Sequence, residues 1–257
     1  MKEHIFILIL FMPICTFYSD INWITRLYAA NLFIIYTYIY KLSFNNSYFA
    51  MSITPPNYIL PIEASHKLVT NIFSTIHASF IALFATLYLY NIIDNYVIKQ
   101  AFFISMSYYL ADLFYTITST KKLLMLDYFI ICHHFVIFYY HNLVFIQNDP
   151  ILENNLLFYL NRGYIAEYSL VSLNYSWYLI NTKQDNGIKM IISSITTLVL
   201  YFITRILNFT VLLYKVWQDD LLLVSIVVIP LMMINYYWFY KIIFKAYRVY
   251  RKNKNKL

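Results

Sequence analysis

The chain is short of the residues that build soluble enzymes and secreted scaffolds. It holds 2 glycines and 2 cysteines in 257 residues, and only 12% of it is charged. A soluble domain carries about a quarter charged residues. Cys15 and Cys132 both lie in apolar stretches, so no disulfide framework is expected. No phosphate-binding loop, zinc-protease His-Glu-x-x-His or nucleophile triad appears. What fills the chain instead is apolar: 61% of residues are hydrophobic, including 28 tyrosines and 21 phenylalanines.

The apolar runs recur every ~25–35 residues and are long enough to span a bilayer. They lack strict alternation and are about twice a barrel strand's length, which makes them helical. The fold expected is therefore all-α: a polytopic integral membrane helical bundle with six core spans and one or two apolar segments before them. The formal charge of +7 does not point to nucleic acid, because much of it sits between Lys241 and Lys256, after the last span. A basic flank there reads as a cytosolic anchor.

In chain order, 1–42 holds the first apolar segments. The run at 5–17 is short for a span and fits either a signal anchor or a cleaved signal core, and Ile14-Cys15-Thr16 is a poor cleavage site. A second apolar run at 22–42 is a further candidate span. Residues 43–65 form a linker broken by Asn45-Asn46-Ser47, Pro55-Pro56 and Pro61. The transmembrane domain proper occupies 66–245, with spans near 68–91, 97–119, 123–146, 155–180, 189–214 and 221–244. A basic tail, 246–257, follows. With that tail in the cytosol, Lys183, Lys189, Lys121, Lys122, Lys41 and Lys67 all fall on the cytosolic side. Only Lys99 and Lys215 are lysines on the other side. The sequon at Asn45 then faces the cytosol.

Most of these spans carry a costly polar group near mid-membrane. His77 lies on the first, with Asn71 and Ser74 on neighbouring turns. Asp112 lies on the second, striped with Tyr108 and Tyr115. The third has His133 and His134 in tandem; eleven residues separate Lys122 from His133, or ~16 Å of helix. His141 shares a face with His134 and, taken alone, reads as interfacial. Glu167 and Asn174 share a face of the fourth span, Arg205 sits deep in the fifth, and Asn235 and Trp238 follow Pro230 in the last. Intramembrane charges and imidazoles mark functional sites. The alternative reading is of buried pairs such as Glu167–Arg205 that fix helix packing. Gly163, one turn before Glu167, is expected to permit close backbone approach. No metal site is expected, and the histidine spacings are not those of iron-dependent membrane desaturases.

The ordered set Ser74-Thr75-Ile76-His77, Leu87-Tyr88-Leu89-Tyr90, Ser107-Tyr108-Tyr109-Leu110-Ala111-Asp112, His133-His134, Glu167-Tyr168-Ser169, Leu173-Asn174-Tyr175-Ser176-Trp177 and Arg205 resembles the TLC-domain family. That family is named for the translocon-associated TRAM, longevity-assurance and ceroid-lipofuscinosis proteins. The resemblance runs from about His66 to Lys245 and is nearest to the small TLC-domain proteins. It implies an endoplasmic-reticulum-type membrane protein with a cytosolic C-terminus, concerned with lipids. In the ceramide synthases of the family a histidine pair with downstream aspartates transfers an acyl group to a sphingoid amine. His133 and His134 match the pair. The downstream aspartate portion has no counterpart here, where Glu167, Ser169 and Asn174 stand instead.

Two main functions follow as expectations. The first is a protein that binds, senses or regulates a membrane lipid, its head against His77, Asp112, His134 and Glu167, with Asn174, Trp177 and Arg205 lining the same site. The second is a lipid N-acyltransferase with acyl-CoA as co-substrate and no other cofactor. There His133 or His134 is the general base, Asp112 or Glu167 its orienter and Arg205 a stabiliser of negative charge. A cargo receptor or chaperone and a proton-coupled transporter are further alternatives. On a helix, neighbours point about 100° apart, so the sequence leaves open which of His133 and His134 faces inward.

Overall fold

A computed structural model describes residues 21–45, 62–119, 125–184, 187–219 and 221–253. The apolar run at 5–17, the prolines of the linker, Lys121-Lys122 and the last four residues lie outside the described residues. Every regular element among those described is helical, and no strand occurs.

The helix ends follow from polar residues placed at the joints. Helix α1 (Trp23–Asn45) opens on Asn22, whose Oδ1 accepts the Thr25 N–H at 2.7 Å. Helix α2 (Ile62–Leu89) closes through Asn91, which adopts a left-handed φ of 56°. The Ile92 N–H then reaches the Leu87 carbonyl at 2.8 Å, and the Asn91 N–H reaches Tyr88 at 2.9 Å, which is the Schellman pattern. Asp94 Oδ1 accepts the Val97 N–H and starts α3 (Asn95–Ser119). Helix α4 spans Met125–Ile146. Pro150 occupies the first position of α5 (Pro150–Tyr164), where a missing N–H costs nothing, and Asp149 Oδ1 caps Ile151.

The sequence predicts two unbroken spans over 155–180 and 189–214, and the structure interrupts both. A single 3₁₀ turn, Ile165–Glu167, separates α5 from α6 (Tyr168–Asn181). A π-helical turn, Phe202–Leu207, separates α7 (Ile188–Tyr201) from α8 (Asn208–Gln218). Between α6 and α7 the chain turns through Lys183 at φ 57° and Gly187 at φ 120°. Helix α9 (Leu222–Asn253) continues past Pro230, which cannot donate to the carbonyl four residues back.

The chain divides into two compact units, Met1–Lys41 with Phe84–Leu160, and Leu42–Leu83 with Asn161–Leu257. In the first, α1, α3 and α4 share a core of Ile21, Ala29, Phe103 and Met106, against which Leu110, Phe138 and Phe145 pack. Lys99 of α3 is buried and pairs with Glu153 of α5 at 2.9 Å. Lys99 is one of the two lysines that break the charge asymmetry of the joints, and its charge is cancelled locally. In the second unit, α6 packs on α7 through hydroxyls: Ser176 Oγ meets Ser193 Oγ at 2.6 Å and Thr197 Oγ1 at 3.2 Å. Helix α9 packs on α7, the π turn and α8.

Among the described residues, three helical stretches are long and apolar enough to cross a membrane: Lys67–Leu89, Tyr128–Ile146 and Ile188–Gln218. The outward surface of the last is itself apolar. Ile192, Ile195, Val199, Ile203, Leu207 and Val211 recur at helical spacing and are all exposed. A water-soluble helix would turn that stripe inward.

Candidate functional site

Of the two tandem histidines, His134 is the one that faces inward. It is 5% exposed, while His133 is half-buried and Cys132 is exposed. His134 Nε2 lies 3.5 Å from Asp112 Oδ2 of α3, at the outer edge of hydrogen bonding. The other oxygen of Asp112 accepts the Tyr36 hydroxyl of α1 at 3.0 Å. Three helices of the first unit therefore meet at one carboxylate. Tyr108 supports the arrangement, its ring edge-on to Tyr36 at 5.7 Å.

The second ring nitrogen of His134 bears on what the site can hold. Nδ1 is buried and has no hydrogen-bond partner among the described residues. Buried polar atoms are nearly always satisfied, and each exception asks for an explanation. With the carboxylate beside Nε2 fixing the proton there, Nδ1 is a bare acceptor. It suits a donor: an amine, an amide N–H or a hydroxyl. The Tyr109 ring lies 5.2 Å from the His134 ring and 6.4 Å from that of His141.

His141, expected at an interface, is instead wholly enclosed, with Phe102 edge-on at 5.1 Å. The i, i+7 spacing of Phe102 and Tyr109 on α3 matches that of His134 and His141 on α4, so two helix stripes interlock as one buried ladder.

The second unit holds a different polar network, centred on Arg205. Its Nη2 lies 3.7 Å from Glu167 Oε1, its Nε donates to Ser169 Oγ at 2.8 Å, and its Nη1 donates to Asn235 Oδ1 at 3.1 Å. The guanidinium also sits over the Tyr201 ring, 5.2 Å from its centroid, and the Tyr201 hydroxyl donates to the same Asn235 oxygen at 3.1 Å. Both breaks in helical geometry fall here. Glu167 ends the 3₁₀ turn, and Arg205 lies in the π turn. Asn208 Nδ2 donates to the Arg162 carbonyl at 2.6 Å beside the first break. Non-α turns of this kind are frequent at functional positions. Nothing in the local sequence signals the π turn, which carries neither Pro nor Gly.

The remaining predicted residues spread over the second unit. Asn174 Nδ2 donates to the Asn71 carbonyl at 3.1 Å and to Thr75 Oγ1 at 2.9 Å, fastening α6 to α2. His77 is buried on α2. Trp177 is half-buried, and its carbonyl accepts the Asn181 amide. Gly163 does not serve close packing: a Cβ built there meets nothing within 4 Å. So Asp112, His134 and Tyr36 form one connected group, while Glu167, Arg205, Ser169, Asn235 and Tyr201 form another. Sequence reasoning missed Tyr36, and it singled out Ser169 only as standing where the family's aspartates would be. Tyr36 sits among many tyrosines, and only its alignment with Asp112 distinguishes it.

A separate open cavity of about 880 Å³ lies at the joint of α2 and α3, lined by Tyr88, Asn91, Asp94, Asn95, Asn154 and Phe158 among others. It contains neither network. Compared with known proteins, the chain matches no family model, no curated protein and no solved structure.

Proposed function

We propose that this chain is a multi-pass integral membrane protein of the TLC type that binds or senses one amphipathic membrane lipid, holding its polar head at His134 and Asp112. The three long apolar helices with outward-facing isoleucine, leucine and valine support membrane integration. The observation that carries the lipid reading is the orphaned, buried Nδ1 of His134 beside a carboxylate already engaged by Tyr36. Such a site fits a headgroup that donates a hydrogen bond, as a sphingoid amine or hydroxyl does. The remaining finer assignments follow the same reading: six spans, an endoplasmic-reticulum-type membrane and a cytosolic C-terminus.

The same geometry favours a second reading, an acyl-CoA-dependent lipid N-acyltransferase. An imidazole oriented through Nε2 by a carboxylate, with Nδ1 left to meet an amine, has the form of a general base. Arg205 is less suited to stabilise an oxyanion in that scheme, since its donors already meet Ser169, Asn235 and Glu167.

One experiment separates the readings. Membranes carrying wild type, His134→Ala or empty vector are compared by lipidomics and supplied with acyl-CoA and a sphingoid base. A lipid that copurifies with wild type and is lost in the variant supports binding. An acylated product lost in the variant at equal expression supports the enzyme. Neither outcome in wild type rejects both.

A further inference from the structure

From Leu221 onward the sequence contains no aspartate or glutamate, yet it holds Lys241, Lys245, Arg248, Arg251, Lys252, Lys254 and Lys256. Those seven cations equal the formal net charge of +7, so the rest of the chain is neutral overall. The excess charge of the protein is thus one local feature rather than a diffuse surplus.

The helix gives that charge a shape. Helix α9 is 32 residues long and continuous, which is ~48 Å at the helical rise. A hydrocarbon core of ~30 Å takes about 20 residues. With α9 taken as the last of the six proposed spans and counted from Leu222, that length is used up at Lys241, the first cation. Lys241, Lys245, Arg248 and Lys252 follow at i, i+4, i+7 and i+11, the register of a single face. Ile243, Tyr247 and Tyr250 take the opposite side and are exposed. Lys241, Lys245 and Arg248 are exposed as well, and neither Lys245 nor Arg248 has an ion-pair partner among the described residues. Lys241 Nζ lies over the Tyr237 ring, 5.3 Å from its centroid, in the direction of the apolar part of the helix. From Lys241 the cations continue outward along the helix, toward the depth at which headgroup phosphates lie.

We propose that this stripe is a binding site for anionic phospholipid in the leaflet beside it. The argument is charge complementarity. Each basic residue near an anionic membrane surface adds attraction that falls off within a Debye length. A one-sided row of four concentrates that attraction on the lipids flanking one face of α9. Zwitterionic phosphatidylcholine has no net charge to match it. The proposal rests on the membrane reading above but not on the His134 site.

The test uses the full chain reconstituted in nanodiscs of phosphatidylcholine containing one-fifth spin-labelled phosphatidylserine or, in parallel, spin-labelled phosphatidylcholine. Recovery of helical protein in the disc reports on membrane integration, and the immobilised fraction of each labelled lipid reports on the stripe. Wild type is expected to immobilise phosphatidylserine at least threefold more than phosphatidylcholine, and the preference is expected to fall in 0.5 M salt. The variant K241Q/K245Q/R248Q/K252Q is expected to lose the preference while keeping wild-type helicity, and K241R/K245R/K252R to retain it. Equal immobilisation of the two lipids by wild type overturns the proposal, as does an unchanged preference in the glutamine variant. If wild type ignores phosphatidylserine yet captures an acidic protein or nucleic acid through the same residues, the occupant is not lipid and the proposal fails.

Discussion

Arg205 Nε donates to Ser169 Oγ at 2.8 Å, and this bond ties the π turn to the first turn of α6, just after the 3₁₀ turn. The 3₁₀ turn offers Glu167 and the start of α6 offers Ser169 to the guanidinium, which the π turn presents to both. The charge is buried, so its energetics rest on how completely it is satisfied. Here Ser169, Asn235, Glu167 and the Tyr201 face share it.

Arg205→Ala is therefore expected to destabilise the protein by about 3–5 kcal/mol, because Glu167 is left buried without its partner. Arg205→Ala with Glu167→Gln should recover part of that loss. Thermal unfolding in detergent, followed by helical circular dichroism, measures both. A loss under about 0.5 kcal/mol in the single variant would mean the network is not buried as described.

The tandem histidines should separate cleanly. On the lipid-binding proposal, His134→Ala is expected to abolish retention of any lipid that copurifies with wild type, since it removes the enclosed Nδ1. His133→Ala should leave retention within about twofold, a difference of ~0.4 kcal/mol. Mass spectrometry of lipid extracted from each purified variant decides it. Equal losses in the two would refute the assignment of His134 as the inward member. Tyr36→Phe removes the hydroxyl that Asp112 accepts, and the expected result is an intermediate loss.

The two glycines predict opposite effects. Gly163 has an ordinary helical backbone with open space around its Cβ position, so Gly163→Ala should stabilise by about 0.5–1 kcal/mol. Gly187 has φ 120°, a region closed to L side chains, so Gly187→Ala should cost more than about 1 kcal/mol. Lys183, at φ 57° in a Schellman turn, occupies a position glycine prefers, and Lys183→Gly should be neutral or stabilising. Melting temperatures of the three variants give the comparison, and a destabilised Gly163→Ala would contradict the open space seen there.

Lys99 and Glu153 offer a double-mutant cycle. Lys99→Met alone should cost about 1–3 kcal/mol, since Glu153 keeps some contact with solvent, while Lys99→Met with Glu153→Leu should be near neutral. Additive losses in the double variant would show that the pair is not coupled.

Much of the helical architecture was legible because hydropathy runs and joint residues such as Asn22, Asp94 and Asp149-Pro150 act locally. The polar residues of the site were legible as types, since an aspartate or histidine inside an apolar run stands out. Their pairing was not. Asn174 bonds to Asn71 and Thr75 on a helix far away in sequence, and no local pattern specifies which of several polar residues on a distant helix it meets. The choice of His134 over His133 depends on the rotation of α4 against α3, which is set by Phe102, Tyr109 and His141 interlocking. The π turn at Arg205 was invisible for a related reason. Residues 202–207, Phe-Ile-Thr-Arg-Ile-Leu, are as good an α-helix as any in the chain, and tertiary partners of the guanidinium provide the reason to depart from it.

The Lys99–Glu153 pair has a consequence for how the chain is made. The ribosome delivers the lysine first, and all of α3 and α4 emerge before its carboxylate does. At roughly 5–20 residues per second, that gap lasts seconds. During it, the start of α3 carries a bare cation that burial would penalise by several kcal/mol. The ion pair is therefore made late, once α5 has followed α3 and α4 out of the ribosome.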